Sequence, residues 1–151
     1  MEEIVEIYTD GGCRGNQGES NIGAYATILS YKGHKRYLSM GFRNTTNNIM
    51  ELKAVIEGLK AMKKYDIPIK VYSDSAYVVN GVNKSWVNGW KSNGWLKSDG
   101  KPVKNMELWE ELDHLISLFN EVELIKVKGH ADNEGNNEVD ALVNKEMDRM
   151  N

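Results

Sequence analysis

Four acidic residues stand where an isolated charge is costly to keep. Asp10 follows Ile4 to Thr9, a run that alternates around Val5, Ile7 and Thr9, and Asp74 follows a second short run, Ile69 to Ser73. Glu51 precedes the apolar Leu52, in what reads as the first turn of a helix, and Asp140 lies between Val139 and Leu142, near the start of another. A carboxylate bordering an apolar face is unfavourable unless its charge is compensated. Neighbouring carboxylates also repel one another, and a divalent cation resolves both problems at once. Taken singly, each of the four is more often a helix cap or a partner of a helix dipole. Only as a set do they suggest a metal site.

The elements that must position them follow from periodicity. Ile4 to Thr9 reads as a strand ending at Asp10, followed by a loop holding Gly11, Gly12, Gly15 and Gly18. Ile22 to Tyr31 is rich in β-formers, and Lys32-Gly33 is the expected turn into a further strand, His34 to Phe42. Leu52, Val55, Ile56, Leu59 and Met62 recur at helical spacing, with Thr46 or Asn47 available as a cap. Ile69 to Ser73 reads as a strand and Ser75 to Val82 as a brief helix. Residues 84–104 read as irregular. Leu108, Leu112, Leu115 and Phe119 mark a helix, Val122 to Val127 a strand, and Val139, Leu142, Val143 and Met147 a final helix. Antiparallel strands followed by strand–helix alternation predict an α/β fold: a five-stranded mixed sheet, three antiparallel strands and then parallel additions, flanked by helices. In such sheets ligands bind at the carboxyl ends of the strands, where Asp10 and Asp74 fall.

Composition bounds the function. At 151 residues, the chain fits one domain, with 40% hydrophobic and 27% charged residues, as in globular proteins of the aqueous phase. No apolar run approaches the roughly 20 residues needed to span a bilayer, and the acidic Met1-Glu2-Glu3 start argues against a signal peptide. The single cysteine, Cys13, fits a reducing compartment, so a cytoplasmic location is expected. A formal net charge of −3 argues against binding a polyanion through overall charge, so a local basic patch or a metal must do it.

Longer motifs surround the four acids. Tyr8-Thr9-Asp10-Gly11-Gly12-Cys13-Arg14-Gly15-Asn16 resembles the first-strand motif of type 1 ribonuclease H, and Thr45-Thr46-Asn47-Asn48-Ile49-Met50-Glu51-Leu52 resembles the second motif of that family. Tyr72-Ser73-Asp74-Ser75 is similar to the third. Val127-Lys128-Gly129-His130-Ala131, with Asn136 and Asp140 beyond it, is similar to the fourth. Order, spacing and secondary-structure context agree over nearly the whole chain.

The resemblance implies an endonuclease that hydrolyses the RNA strand of RNA–DNA hybrids, leaving 5′-phosphate and 3′-hydroxyl ends. It implies two Mg²⁺ ions, with Mn²⁺ accepted: Asp10 bridging both, Glu51 and Asp74 completing one site, and Asp140 helping to hold the other. His130 resembles the family's mobile histidine, which assists proton transfer or product release; taken alone it reads as a solvated loop residue. His34, in the expected turn, and His114, on a helix, read as structural or solvated. Gly12, Cys13, Asn16, Thr46, Asn47, Asn48 and Asn136 match positions that contact the substrate, although an Asn-rich loop is more commonly turn chemistry. The 2′-hydroxyl is the group by which RNA would be told from DNA.

Residues 84–104 hold Lys84, Lys91, Lys97, Lys101 and Lys104 against Asp99, a net +4, together with Trp86, Trp90 and Trp95. Basic charge interleaved with aromatics grips phosphate and sugar. The segment resembles the family's basic protrusion, with Trp86, Trp90 and Lys91 as candidate contacts to the DNA strand, although Ser92 and Asn93 look less basic than the pattern. The plainer reading is a hydrophobic cluster beneath an exposed loop. The whole of 1–151 reads as one catalytic domain with no hybrid-binding domain before it, so low processivity is expected, as are a monomer, no obligate protein partner and no membrane association. Integrases, transposases and the nuclease domain of reverse transcriptases use a similar carboxylate arrangement and remain rivals within the fold. A hybrid-binding module without catalysis is the rival from another class; retention of all four carboxylates argues against it.

Overall fold

The computed structural model describes residues 3–15, 21–128 and 133–150. Its elements run β1 (Val5–Arg14), β2 (Ile22–Tyr31), β3 (His34–Arg43), α1 (Asn47–Lys60), β4 (Ile69–Ser73), α2 (Ala76–Asn83), α3 (Trp86–Ser92), α4 (Met106–Leu118), β5 (Val122–Lys126) and α5 (Glu134–Arg149). The five strands form one sheet in the order β3-β2-β1-β4-β5. The pairs β1–β2 and β2–β3 are antiparallel, and β1–β4 and β4–β5 are parallel, the mixed sheet that the element order predicts. No helix among the described residues is long and apolar enough to cross a membrane.

Two apolar layers hold the sheet between helices. Val5 and Ile7 of β1 pack with Leu52, Val55, Ile56 and Leu59 of α1 and with Trp109 and Leu112 of α4. On the opposite face Ala24, Ala26 and Ile28 of β2 pack with Val139, Val143 and Met147 of α5. The first eight residues of β2 are buried, since helices cover both of its faces; small side chains at Ala24 and Ala26 give α5 room on one of them. Helix α1 begins where the Thr46 side chain accepts a hydrogen bond from the Ile49 amide, 3.1 Å away.

Several local expectations are corrected. Strand β1 does not stop at Asp10: its antiparallel pairing with β2 carries it through Gly11, Gly12 and Cys13 to Arg14, opposite Ile22. Its parallel pairing with β4 does stop, at Tyr8 opposite Tyr72, so the expected strand end is real on one side of β1 only. Glu51 is the fifth residue of α1 rather than a first-turn residue, because the Thr46 cap sets the start at Asn47. Asp140 lies seven residues into α5, which starts after Asn133 has capped it through the Asn136 amide, 2.8 Å away. His34 is the first residue of β3 and not part of the turn, paired with Tyr31.

The 84–104 segment is also more ordered than its hydrophilic character suggests, since Trp86–Ser92 is helical. The cause is tertiary. Trp86 and Trp90 lie 5.9 Å apart between ring centroids and pack 6.1 and 5.5 Å from Trp109 of α4. Trp95 closes the group, 6.1 Å from Trp90. The Trp109 indole N–H donates to the Tyr77 hydroxyl at 2.8 Å, so the polar edge of this buried ring is satisfied.

Candidate functional site

Beyond the Tyr8–Tyr72 pair, strands β1 and β4 separate, and the cleft that opens there is lined by Asp10, Glu51, Asp74 and Asp140. It has a volume of about 470 Å³. Each carboxylate arrives on a different element. Asp10 is mid-strand in β1, Asp74 directly follows β4, Glu51 comes from α1 on one face of the sheet and Asp140 from α5 on the other. Glycine at position 11 is what lets α1 come so close. A Cβ on Gly11 would stand 2.5 Å from the Met50 carbonyl carbon and 2.6 Å from the Glu51 nitrogen, both of them backbone atoms that cannot yield as a flexible side chain would.

Asp10, Glu51 and Asp74 each offer an oxygen within 4.8 Å of the others. Asp140 stands outside this tight trio yet lines the same cleft, within hydrogen-bonding reach of the Asp10 carboxyl. Asp10 and Glu51 are buried. Burial, then the neighbouring charges of Asp74 and Asp140, pushes the Asp10 carboxyl up to about 8, against the pull of a hydrogen bond from the Gly11 amide. Burial, then Asp10 and Asp74, pushes Glu51 up to about 10. Glu51 Oε1 is fully buried and has no hydrogen-bond partner among the described residues. A buried carboxylate oxygen without a donor, set against two further carboxylates, is the donor set of a hard divalent cation. The residues present therefore fit a metal ion.

The other candidates divide into those at the cleft and those away from it. Gly12, Cys13 and Asn47 line it. Thr46 is the cap of α1, and Asn48 is exposed one residue beyond the cleft-lining Asn47. Asn136 is buried at the start of α5, its Oδ1 without a partner among the described residues. Trp86 and Trp90 belong to the aromatic cluster, and the Lys91 ammonium is held 2.8 Å from Asp113 of α4. Asn16 and His130 lie outside the described residues. Sequence reasoning passed over Arg14, Asn144 and Met147, which also line the cleft. Asn144 and Asp148 follow Asp140 at intervals of four, and that spacing was the available signal.

Similarity to other proteins agrees with this geometry. The family model described as RNase H matches residues 2–148. A Clostridium botulinum (strain Hall) protein named Ribonuclease H is 52% identical over 151 residues, covering 100% of this chain and 99% of its own length. Among solved structures, LC9-RNase H1, described as a type 1 RNase H with the type 2 active-site motif, superposes with a TM-score of 0.81. It is 29% identical, over 96% of this chain and 72% of that one. LC11-RNase H1, solved in complex with an RNA/DNA hybrid, shares the fold with a TM-score of 0.72 at 24% identity, over 97% and 98% of the two chains. With its strand order, its acidic cleft and a match over nearly all of its length, this chain belongs to the RNase H family.

Proposed function

We propose that this protein hydrolyses the RNA strand of RNA–DNA hybrids in a Mg²⁺-dependent reaction, with Asp10, Glu51, Asp74 and Asp140 as its metal-holding residues. The observation that carries the reading is the trio of carboxylates within 4.8 Å, one of them with a buried oxygen that no described group satisfies. Family membership and the hybrid seen bound to LC11-RNase H1 support the choice of substrate. Oxygen ligands in this number suit Mg²⁺, with Mn²⁺ as a substitute.

A divalent cation bound there supplies positive charge to the scissile phosphodiester and to the oxygens that enter and leave it. The protein's own groups perform the remaining tasks. Asp10 and Glu51, whose ordinary ionisation is suppressed by burial and mutual repulsion, would hold the cation as carboxylates, its charge offsetting that repulsion. Asp74 and Asp140 close the cleft from β4 and α5 and share its negative charge. Four elements of a rigid sheet-and-helix frame fix these oxygens before substrate arrives, so little reorganisation is needed in the reaction. Gly12, Cys13 and Asn47 lie beside the acids on the cleft wall, where a nucleic-acid backbone would pass. His130 is proposed to assist proton transfer or product release, as its motif implies. Residues 84–104 form the proposed grip on the DNA strand, through lysines carried on the aromatic cluster.

The test is a gel assay on a labelled RNA–DNA hybrid with Mg²⁺ or EDTA, comparing the wild type with Asp10→Asn. Single-stranded RNA, duplex RNA and duplex DNA run alongside. Cleavage of the hybrid's RNA strand alone, lost with EDTA and with Asp10→Asn, is the expected result. A folded protein that cuts no hybrid with either metal would overturn the reading and leave a hybrid-binding module in its place.

A further inference from the structure

Helix α5 carries three polar residues at intervals of four, Asp140, Asn144 and Asp148, so they lie along one face of the helix. Only the first is one of the cleft's four acids, although Asn144 also lines its wall. The other two are engaged from β1 by a single side chain, Arg14, the last residue of that strand. Its Nη1 donates to Asp148 Oδ1 at 2.6 Å, and its Nη2 donates to Asn144 Oδ1 at 2.9 Å and to the Asn144 carbonyl at 3.3 Å. The Asn144 amide is then used at both ends. Its oxygen accepts from Arg14 while its nitrogen donates to the Asp140 carbonyl at 3.0 Å. A continuous chain of hydrogen bonds thus joins the end of β1 to the backbone of Asp140. It begins four residues along the same strand from Asp10, and crosses 130 and 134 positions of sequence.

We propose that Arg14 is a positioning residue that sets the rotation of α5 and so holds Asp140 at the metal-binding cleft; this rests on the reading of the cleft as a metal site. The apolar contacts of Val139, Val143 and Met147 press α5 onto the sheet. Apolar contact is non-directional, and the hydrogen bonds that Lys35, Tyr37 and Ser39 of β3 give to α5 end on Glu138 and Glu146, not on Asp140. Hydrogen bonds from a planar, forked guanidinium are directional and restrict the rotation of α5. Stability alone does not account for the arrangement. The ion pair is exposed, its side chains 35% and 68% accessible, and pairs of this kind contribute about 0–1 kcal/mol. Its value lies in geometry, since loss of a residue that orients a metal's ligands typically costs about 10–100-fold in affinity or activity.

Arg14→Lys is the informative variant, because it keeps the positive charge and loses the fork. Asn144→Ala is the second, because it cuts the relay while leaving Arg14 intact. Mn²⁺ binding to the protein without nucleic acid is measured by the paramagnetic resonance of the free ion, beside kcat and KM on hybrid and melting in EDTA. Both variants are expected to weaken Mn²⁺ binding by about tenfold, with KM for hybrid within about twofold and the melting midpoint within about 2 °C of wild type, as for an exposed pair. Wild-type Mn²⁺ affinity in Arg14→Lys would overturn the proposal, as would an effect confined to KM, which would make Arg14 a substrate contact. Either result leaves the hybrid-cleavage reading standing. Failure of the wild type to cut hybrid would remove that reading, while the Mn²⁺ titration still judges Arg14. A wild type that binds no Mn²⁺ would overturn both.

Discussion

The acidic cleft and the aromatic protrusion solve opposite problems with the same kind of scaffold. In the cleft, Asp10 and Glu51 are buried beside like charges, and one Glu51 oxygen has no donor among the described residues. At the protrusion, Trp109 is fully buried with its indole N–H satisfied by Tyr77, which also accepts from the Asn105 amide, and the lysines stand outside. Both regions rely on glycine for close approach. Gly11 admits the backbone of α1, and Gly81 of α2 admits the ring of Trp109, which a Cβ there would strike. The cleft is destabilising until something positive enters it, whereas the protrusion contributes to stability and offers its charge to solvent.

One substitution in each region, read for both activity and stability, separates the two cases. Glu51→Gln is expected to lower the rate of hybrid cleavage by about 10³-fold or more, while raising the unfolding free energy of the metal-free protein at pH 8 by about 1–3 kcal/mol, since the native state no longer has to hold a proton there that the unfolded chain releases. Trp109→Ala is expected to do the reverse. It should cost about 3–5 kcal/mol and leave kcat per folded molecule near wild type. Urea unfolding in EDTA and single-turnover kinetics measure the two. Loss of stability in Glu51→Gln would show that its charge is already compensated.

A pH series sharpens the same point. Asp10 and Glu51 have ordinary values of 3.8 and 4.5 and folded values of about 8 and about 10. Across that window the native state holds protons that the unfolded chain has lost. The unfolding free energy of the metal-free protein should therefore fall as pH rises, most steeply between the ordinary and the folded values. Saturating Mg²⁺ should flatten the slope, because the cation replaces the protons. A metal-free stability that climbs from pH 5 to pH 8 would contradict this linkage. Melting curves in EDTA and in Mg²⁺ across that range decide it.

Smaller effects are expected at the protrusion's surface. Lys84, Lys101 and Lys104 have no carboxylate partner among the described residues, whereas Lys91 is tied to Asp113 and Lys97 lies 3.9 Å from Asp99. Replacing Lys84, Lys101 and Lys104 by alanine should raise KM for hybrid with kcat unchanged. It should also make binding less salt-dependent, by about one unit of slope for each phosphate no longer neutralised. Lys91→Ala should do less. Binding titrations at several salt concentrations measure this, and an unchanged slope would remove the electrostatic role. Smallest of all, Ser85 precedes α3 in a left-handed conformation, φ 55°, without a side-chain cap bond. Ser85→Gly should stabilise by about 0.5–1 kcal/mol, readable as a raised melting midpoint.

Much of the frame was legible in residue order. Alternation in β1, the run of β-formers in β2, helical spacing in α1 and α5, and the Thr46 cap are all local features, which the chain displays directly. Legibility failed where distant residues decide local form. Helix α3 exists because Trp86 and Trp90 find Trp109 across the fold, and nothing within 84–104 announces Trp109. β1 continues past Asp10 because β2 supplies a partner after β4 has diverged. Arg14 sits inside the first-strand motif, yet its partners Asn144 and Asp148 lie at the far end of the chain.

Residue order alone carries every element except α3, the family resemblance and the four acids as a candidate set, because periodicity and motif are properties of neighbouring residues. Tertiary packing alone brings three of those acids within 4.8 Å with Asp140 just beyond, buries one Glu51 oxygen without a donor among the described residues, and ties α5 to β1 through Arg14. Distances between residues on separate elements follow from packing of the whole core, which brings α1 and α5 onto opposite faces of one sheet and so carries their charges to its shared edge.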